Sequence, residues 1–322
     1  MNVHEDVLLV CSGGGHLRQL AGFAERLGIA RGRQVWVTFR NGLSESLLGG
    51  RRVIWAPFTA PRDLRNFARL VLLARRVLAR QRFGHVISTG SSPAAAFLPL
   101  PVRKGIPASY IGSAARADGP SVTGRIVSRF PRIRTYCQYP AWADERWQYR
   151  GSVFDGYTPG AVTPIMPRSA VVSVGTQEGF PFDRLFAKVV PLLADFDRVL
   201  FQTGDADVSH LGITGVPSIA HADLKAAIRD ADVVITHAGV GGALTALDLG
   251  KHPIMIPRSA QHGEHVDDHQ VQVARELDRR GLATARSVEE LSSRDIVEAA
   301  SKSVRAVAPP RLDLIPSPVA GA

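Results

Sequence analysis

Cysteine is scarce in this sequence: only Cys11 and Cys137 occur, and they lie far apart. Two cysteines without metal-type spacing cannot build a disulfide scaffold or a zinc ribbon, and such sparse use suits a reducing cytoplasm. Neither cysteine lies in a catalytic motif, and no G-x-S-x-G elbow is present. The sequence therefore gives no support to covalent catalysis by a nucleophilic side chain.

Long hydrophobic runs are also missing, although 45% of the 322 residues are hydrophobic and 21% are charged. No apolar run approaches the roughly 20 residues that span a bilayer. The first six residues lack the basic region of a signal peptide. Composition and length together predict a cytoplasmic globular protein of two ordinary domains.

Acidic residues are in the minority, with 29 Asp and Glu against 39 Lys and Arg, a net charge of +10. Such an excess favours anionic partners: nucleic acid, phosphorylated ligands or an acidic membrane surface. Aromatic residues do not alternate with the basic ones, and no nucleic-acid motif is present. We therefore expect no nucleic-acid partner.

The stretch from Asp232 to Ala274 organises the chain. Val233 to Ile235 is a short β-branched run typical of a buried strand, and Ile254 to Ile256 is the next one. Between them a glycine-rich turn leads into a predicted helix that Gly250 ends. Free N–H groups and the helix dipole would favour a phosphate at this turn. The alternative is a tight β–α turn that binds nothing.

A second strand–glycine–helix unit opens the chain. Val7 to Val10 reads as a buried strand, Ser12-Gly13-Gly14-Gly15-His16 follows it, and a helix runs to about Leu27. The spacing of the third glycine departs from the dinucleotide fingerprint G-x-G-x-x-G. Both a diphosphate cradle and a simple tight turn fit this sequence.

Alternating strands and helices continue to a proline- and glycine-rich linker at 156–160 and restart at Ala170. We predict an N-terminal domain over residues 1–160 and a C-terminal domain over 161–308. A last helix is predicted over Val288 to Val307. Residues 309–322 carry four prolines and few large side chains, and they predict a disordered tail.

The central stretch resembles the donor-sugar site of GT-B glycosyltransferases in family 28. Within that family the two-subunit transferases that act on polyprenyl-diphosphate sugars are the nearer match, and this chain resembles a fusion of their subunits. The resemblance rests on His237-Ala238-Gly239, Gly242-Ala243-Leu244-Thr245, Gly250-Lys251, Pro253, Pro257 and Asp268-His269-Gln270. It implies an α/β fold of two Rossmann-like domains facing across a cleft.

The resemblance also implies the donor-binding residues. They are expected to be Gly175, Thr176, Gln202, His237, Gly239, Gly241, Gly242, Ala243, Leu244, Thr245, Asp248, Asp268, His269 and Gln270. The family usually carries a Glu that holds the nucleotide ribose, and we place Asp248 in that role, one methylene shorter.

On the N-terminal side the resemblance implies acceptor binding by Ser12, Gly13, Gly14, Gly15 and Arg116. Relatives commonly have Glu where Gly112 stands, so a carboxylate available to them is absent here. An inverting transfer needs a general base. His16 is our first candidate and Asp118 the second, and His16 could instead only bind the acceptor diphosphate.

A histidine cluster at His262, His265 and His269 could suggest a zinc site. No H-E-x-x-H motif is present, and clusters without a ligand motif are usually polar surface. The resemblance implies catalysis without metal or other cofactor. Backbone N–H groups and basic side chains would then stabilise the leaving diphosphate.

Leu64 to Arg82 predicts a strongly amphipathic helix with Arg65, Arg69, Arg76 and Arg80 on its polar face. That face is either solvated or in contact with anionic lipid.

The sequence thus predicts an inverting hexosyltransferase that moves sugar from a UDP-sugar to a polyprenyl-diphosphate-linked glycan in polysaccharide or cell-envelope synthesis. It would be peripheral on the inner face of the plasma membrane. The alternatives are a soluble transferase for a small hydrophobic acceptor, a GT-B-like epimerase and a non-catalytic nucleotide-sugar binder.

Overall fold

The computed structural model describes residues 5–60, 63–175 and 179–314. Contacts divide the described chain into an N-terminal unit, which runs to Val153 and includes residues 309–314, and a C-terminal unit, Phe154–Ala308. Each unit is built on its own parallel sheet. Two Rossmann-like α/β units are therefore present, as the sequence predicted.

The N-terminal sheet has seven parallel strands in the order β3-β2-β1-β4-β5-β6-β7. The strands are β1 (Val7–Cys11), β2 (Gln34–Phe39), β3 (Arg52–Ala56), β4 (His85–Gly90), β5 (Ala108–Ile111), β6 (Ile133–Cys137) and β7 (Trp147–Tyr149). Strand order reverses between β1 and β4, so the turns after these two strands flank a topological switch point.

Among the described residues of this unit, six α-helices pack on the sheet. They are α1 (Gly15–Arg26), α2 (Gly42–Leu47), α3 (Leu64–Arg80), α4 (Ser92–Phe97), α5 (Pro99–Arg103) and α6 (Val122–Ser128). One core cluster lies under α3 and α4 and another under α1. The helix α3 buries Leu70, Ala74, Val77 and Leu78, whose three- and four-residue spacing forms one apolar stripe.

The start of the segment predicted as a disordered tail is ordered in this structure. Leu312 and Leu314 are buried in the cluster under α1. Tyr136 donates to the Leu314 carbonyl, and the Arg26 guanidinium donates to the Pro310 carbonyl. Two buried leucines, two residues apart, anchor residues 309–314. The prolines around them led the sequence analysis to predict disorder instead. Residues 315–322 lie outside the described part of the chain.

The C-terminal unit repeats the plan with a six-stranded parallel sheet in the order β11-β10-β9-β12-β13-β14. A separate antiparallel ribbon joins β8 to β15. The strands are β8 (Tyr157–Val162), β9 (Ser169–Ser173), β10 (Arg198–Gln202), β11 (Gly215–Val216), β12 (Val233–His237), β13 (Ile254–Ile256), β14 (Thr284–Ala285) and β15 (Lys302–Ala306). Its switch point lies between β9 and β12.

The helices of this unit are α7 (Asp183–Leu192), α8 (His221–Asp230), α9 (Val240–Asp248), α10 (His269–Arg279) and α11 (Ser293–Ala300). The predicted last helix, Val288 to Val307, is too long, because α11 stops and β15 follows. Val304 is buried while its neighbours are not, and β15 pairs with the segment predicted as a linker. Within the described residues, no helix has the length and hydropathy needed to cross a membrane.

Candidate functional site

The donor-type residues gather at the carboxyl ends of β9 and β12, where open α/β sheets bind ligands. Gly175 follows β9, and His237 is the last residue of β12. A Cβ on Gly175 would lie 2.8 Å from His237 Cε1, and one on Gly239 would lie 2.3 Å from His237 Nε2. These two glycines are therefore required to make room for the imidazole ring.

The His237 imidazole is held in its neutral form. Burial, and then the nearby positive charge of Arg258, lower the pKa of His237 to about 3. The ring Nδ1 lies 3.5 Å from the Ser173 carbonyl oxygen. With its proton on Nδ1 towards that carbonyl, the neutral ring has a lone pair on Nε2, which can accept a hydrogen bond from a ligand without adding charge.

The turn after β12 leads directly into the N-terminus of α9. The Ala243 N–H bonds to the Gly239 carbonyl at 3.0 Å, so helix geometry leaves the preceding N–H groups of the first turn for a ligand. Gly242 packs closely, since a Cβ there would lie 2.9 Å from Thr236 Oγ1. Ala243, Leu244 and Thr245 are buried, and Thr245 Oγ1 donates to the Gly241 carbonyl. This end of α9 can therefore bind an anion mainly through its backbone.

Asp248 does not fit the ribose-binding role that the sequence suggested. It is the last residue of α9, about 12 Å along the axis from Val240 at 1.5 Å per residue. Its carboxylate accepts a hydrogen bond from the Tyr157 hydroxyl of β8. The side chain thus joins α9 to the antiparallel ribbon, far from a phosphate at the other end of the helix.

Two of the three residues predicted to face the donor sugar are engaged with backbone instead. Asp268 Oδ1 accepts from the Ala260 N–H at 2.9 Å, and Gln270 Oε1 accepts from the Arg258 N–H at 3.0 Å. The His269 ring bonds to Asp267. The sequence could not distinguish these loop-holding bonds from ligand contacts.

Gln202 is likewise buried, and its Oε1 accepts from the Ser173 hydroxyl, which joins β10 to β9. Thr176 lies outside the described residues.

The histidine cluster is arranged differently from a single helical face. Ligand atoms of His265, Asp267 and His269 all lie within 4.8 Å of one another, whereas His262 belongs to a separate short turn. Imidazole nitrogens and a carboxylate oxygen are ligands that suit zinc. The expectation of catalysis without metal stays a prediction.

In the N-terminal unit, His16 lies at the switch point between β1 and β4. Its Nδ1 lies 2.8 Å from the Thr89 carbonyl oxygen, and Thr89 Oγ1 donates to the His16 carbonyl at 2.9 Å. Because a carbonyl oxygen only accepts, the neutral ring carries its proton on Nδ1. The lone pair is then on Nε2, the arrangement that a general base needs.

The glycine run before His16 forms a close turn. A Cβ on Gly13 would lie 2.5 Å from Asn41 Nδ2, and Gly14 has φ +63°. Gly15 is the first residue of α1. With Ser12 these residues place an open helix N-terminus beside the switch point, as an anion site requires.

Sequence reasoning missed the turn after β4. Gly90 has φ +117°, and Ser91 has φ +49°, a left-handed conformation that a non-glycine residue rarely adopts. A Cβ on Gly90 would lie 3.1 Å from His16 Cε1. The sequence Thr89-Gly90-Ser91-Ser92-Pro93 could have indicated this turn, since glycine favours a positive φ and proline is common in the first turn of a helix.

The loop after β5 carries the remaining acceptor-type residues, half-buried Arg116 and exposed Asp118. A Cβ on Gly112 would make ordinary van der Waals contacts, 3.4 Å from the Tyr136 carbonyl oxygen and 3.5 Å from the Trp142 ring. Gln19 accepts from the Ala114 N–H, and Gln138 donates to Gln19 and to the Gly112 carbonyl, each at 2.8 Å. This buried network fixes the loop and was not predicted.

Residues 169–307 match the sequence profile described as the glycosyltransferase family 28 C-terminal domain. The C-terminal unit is therefore similar to glycosyltransferase family 28. A 58-residue segment is 41% identical to the UDP-N-acetylglucosamine transferase subunit ALG13 of Yarrowia lipolytica (strain CLIB 122 / E 150). That match covers 18% of this chain and 28% of the relative.

Solved structures with a similar fold cover the N-terminal unit as well. MurG of Acinetobacter baumannii superposes with a TM-score of 0.61 at 15% identity, over 92% of this chain and 94% of MurG. The UDP-GlcNAc 2-epimerase of Methanocaldococcus jannaschii gives 0.59 at 8% identity, over 91% of each chain. At these identities the likeness establishes the GT-B fold class alone.

Proposed function

We propose that the protein is an inverting glycosyltransferase that moves a sugar from a UDP-sugar to a polyprenyl-diphosphate-linked sugar. One observation carries the proposal. The family 28 unit presents the α9 N-terminus and the neutral His237 at its switch point. This arrangement provides N–H groups for a diphosphate and an uncharged ring beside them.

The donor assignment is supported by the name of the relative, a UDP-N-acetylglucosamine transferase subunit. The diphosphate would lie over the first turn of α9, and the sugar would extend towards the loop that carries His269. We do not assign the ribose contact to Asp248, because Tyr157 engages its carboxylate at the far end of the helix.

The acceptor would bind at the switch point of the N-terminal unit. Two special turns meet there, the Ser12–Gly15 run and Gly90-Ser91, and His16 lies between them. Backbone N–H groups of these turns suit the diphosphate of a lipid carrier.

In the proposed reaction His16 Nε2 takes the proton of the acceptor hydroxyl. The acceptor oxygen forms the new bond to the anomeric carbon as the bond from that carbon to the UDP oxygen breaks. The configuration inverts, and the negative charge develops on the leaving diphosphate. The Thr89 carbonyl fixes the tautomer and orientation of His16 throughout.

Peripheral membrane association at the inner face of the plasma membrane is proposed from α3. Leu64 is 80% exposed and Leu72 51% exposed on the same surface as Arg65, Arg69 and Arg76. Apolar side chains beside a basic stripe suit the boundary between headgroups and acyl chains of an anionic bilayer.

A donor screen tests the proposal. Purified protein would be incubated with single nucleotide sugars, with and without a lipid extract from membranes, and UDP release would be measured. Release that requires both donor and lipid is expected. Binding without release at saturating lipid would favour a nucleotide-sugar binder. Release with a small hydrophobic alcohol but not with lipid would favour the soluble transferase.

A further inference from the structure

Arg258 is a buried cation whose charge the protein leaves largely unbalanced. The residue follows β13 and is 1% exposed. Its Nη2 donates to the Val174 carbonyl at 2.9 Å, and its guanidinium lies 5.6 Å from the centre of the Phe182 ring. Its Nε is buried without a hydrogen-bond partner. None of these contacts supplies negative charge.

The carboxylates whose field reaches Arg258 are engaged elsewhere. Glu264 and Asp205 act on it at a distance. Glu264 forms a two-point ion pair with Arg184 and accepts from the Ser259 N–H, and Asp205 accepts from the Gly179 N–H. Among the described residues, no carboxylate lies within ion-pair distance of Arg258. Burying such a charge is costly unless an anion compensates it.

The position of Arg258 identifies where that anion would bind. Val174, whose carbonyl it holds, precedes Gly175 at the end of β9, and its charge is the second cause of the lowered pKa of His237. Gly175 and His237 pack against each other beside the start of α9. Arg258 therefore lies behind the same switch point that presents the α9 N-terminus.

We propose that the Arg258 guanidinium supplies the positive charge by which the donor site selects a diphosphate. It would act from beneath the turns that follow β9 and β12. The inference rests on the proposed function and deepens it by naming the source of positive charge for the leaving group. The proposal also gives Gln270 a role, because its side-chain oxygen accepts from the Arg258 backbone N–H and so positions Arg258. Because the guanidinium is buried, its field is screened less by salt than that of a surface residue.

The test compares the binding of UDP with that of uridine by calorimetry, for the wild type and for Arg258→Met and Arg258→Gln. Methionine keeps the apolar packing and glutamine keeps a polar amide group, but both lack the charge. We expect the ratio of UDP to uridine affinity to fall at least tenfold in both variants, with uridine affinity unchanged. Arg275→Met removes an exposed Arg of α10 and serves as the control that keeps the wild-type ratio.

A second readout is thermal unfolding with inorganic pyrophosphate. Pyrophosphate should raise the melting temperature of the wild type and of Arg275→Met but not that of either Arg258 variant. An unchanged ratio, or equal weakening of UDP and uridine, would refute the role of Arg258 while leaving the proposed function in place. A wild type that binds neither compound would remove the donor assignment and this inference together.

Discussion

At the residue scale, tautomers and hydrogen-bond partners determine which role each polar side chain can take. His16 has Nδ1 fixed by the Thr89 carbonyl, whereas Asp268 and Gln270 use their oxygens to hold backbone N–H groups. The same residue types in the same motif thus differ in what they can do for a substrate. Three residue-scale predictions follow from these differences.

The first concerns His16. His16→Ala should lower turnover by roughly 10²–10⁴-fold and leave UDP affinity intact, because general-base catalysis contributes on that order. The acidic limb of the turnover profile should vanish. Turnover and acceptor KM would be measured from pH 5.5 to 9, with Asp118→Asn for comparison. Near-normal turnover with a raised acceptor KM would instead make His16 a diphosphate ligand and favour Asp118 as the base.

The second concerns Asp248. Asp248→Ala should lower the free energy of unfolding by about 1 kcal/mol, because the bond to Tyr157 is lost. UDP affinity should change less than threefold. Tyr157→Phe should have a similar effect on stability, and the double variant should cost little more than either single one. A tenfold loss of UDP affinity in Asp248→Ala alone would restore the ribose contact that the sequence suggested.

The third concerns pH and the buried histidines. Burial lowers the pKa of His237 to about 3 and those of His85, His252 and His265 to about 4. Unfolded histidines titrate near 6.5, so below that pH the unfolded state binds more protons. The free energy of unfolding should therefore fall as pH drops from about 6.5 to 4, by on the order of 1 kcal/mol per pH unit per histidine.

Urea unfolding at fixed ionic strength would measure this slope of stability against pH. The His85→Gln variant should have a shallower slope than the wild type, since one of the four groups is removed. A wild-type stability that is flat between pH 6.5 and 4.5 would contradict the account.

At the scale of the element, α3 combines a buried apolar stripe with an exposed face that carries several arginines together with Leu64 and Leu72. The variant with Arg65, Arg69, Arg76 and Arg80 all changed to Gln should stay folded and lose binding to anionic vesicles. Each Arg near such a surface contributes about 1 kcal/mol. Vesicle flotation at two salt concentrations would measure the loss.

The matched control carries the same charge change on the C-terminal unit, at the exposed residues Arg198, Arg229, Arg275 and Arg305. It should float like the wild type. If both four-fold variants lost binding equally, net charge alone would account for membrane association, and α3 would have no special part.

Some helices and strands could be predicted from the sequence and others could not. Val7 to Val10, Val233 to Ile235 and the stripe of α3 were predictable, because buried parallel strands and amphipathic helices have distinct apolar periods. The β8–β15 ribbon was not, since a strand rich in proline and glycine reads as a linker. The Gln19–Gln138 network and the partners of Asp248 depend on residues far apart in the chain, which local patterns do not encode.

At the scale of the whole molecule, two Rossmann-like units each offer a glycine-rich turn at a switch point. The C-terminal turn has the neutral ring and buried cation expected of a site for a nucleoside diphosphate, and the N-terminal turn has the candidate base. The proposed chemistry divides between the units accordingly, with donor binding in one and acceptor activation in the other.

The central claim is transfer of sugar to a lipid-linked acceptor, and mass spectrometry of the lipid product tests it most directly. Purified protein would be incubated with a UDP-sugar and a polyprenyl-diphosphate-linked sugar, and the lipid would be analysed before and after. The account predicts that the lipid gains the mass of one sugar for each UDP released, and that His16→Ala greatly slows this gain. A lipid of unchanged mass, while the UDP-sugar is bound, hydrolysed or epimerised, would contradict it.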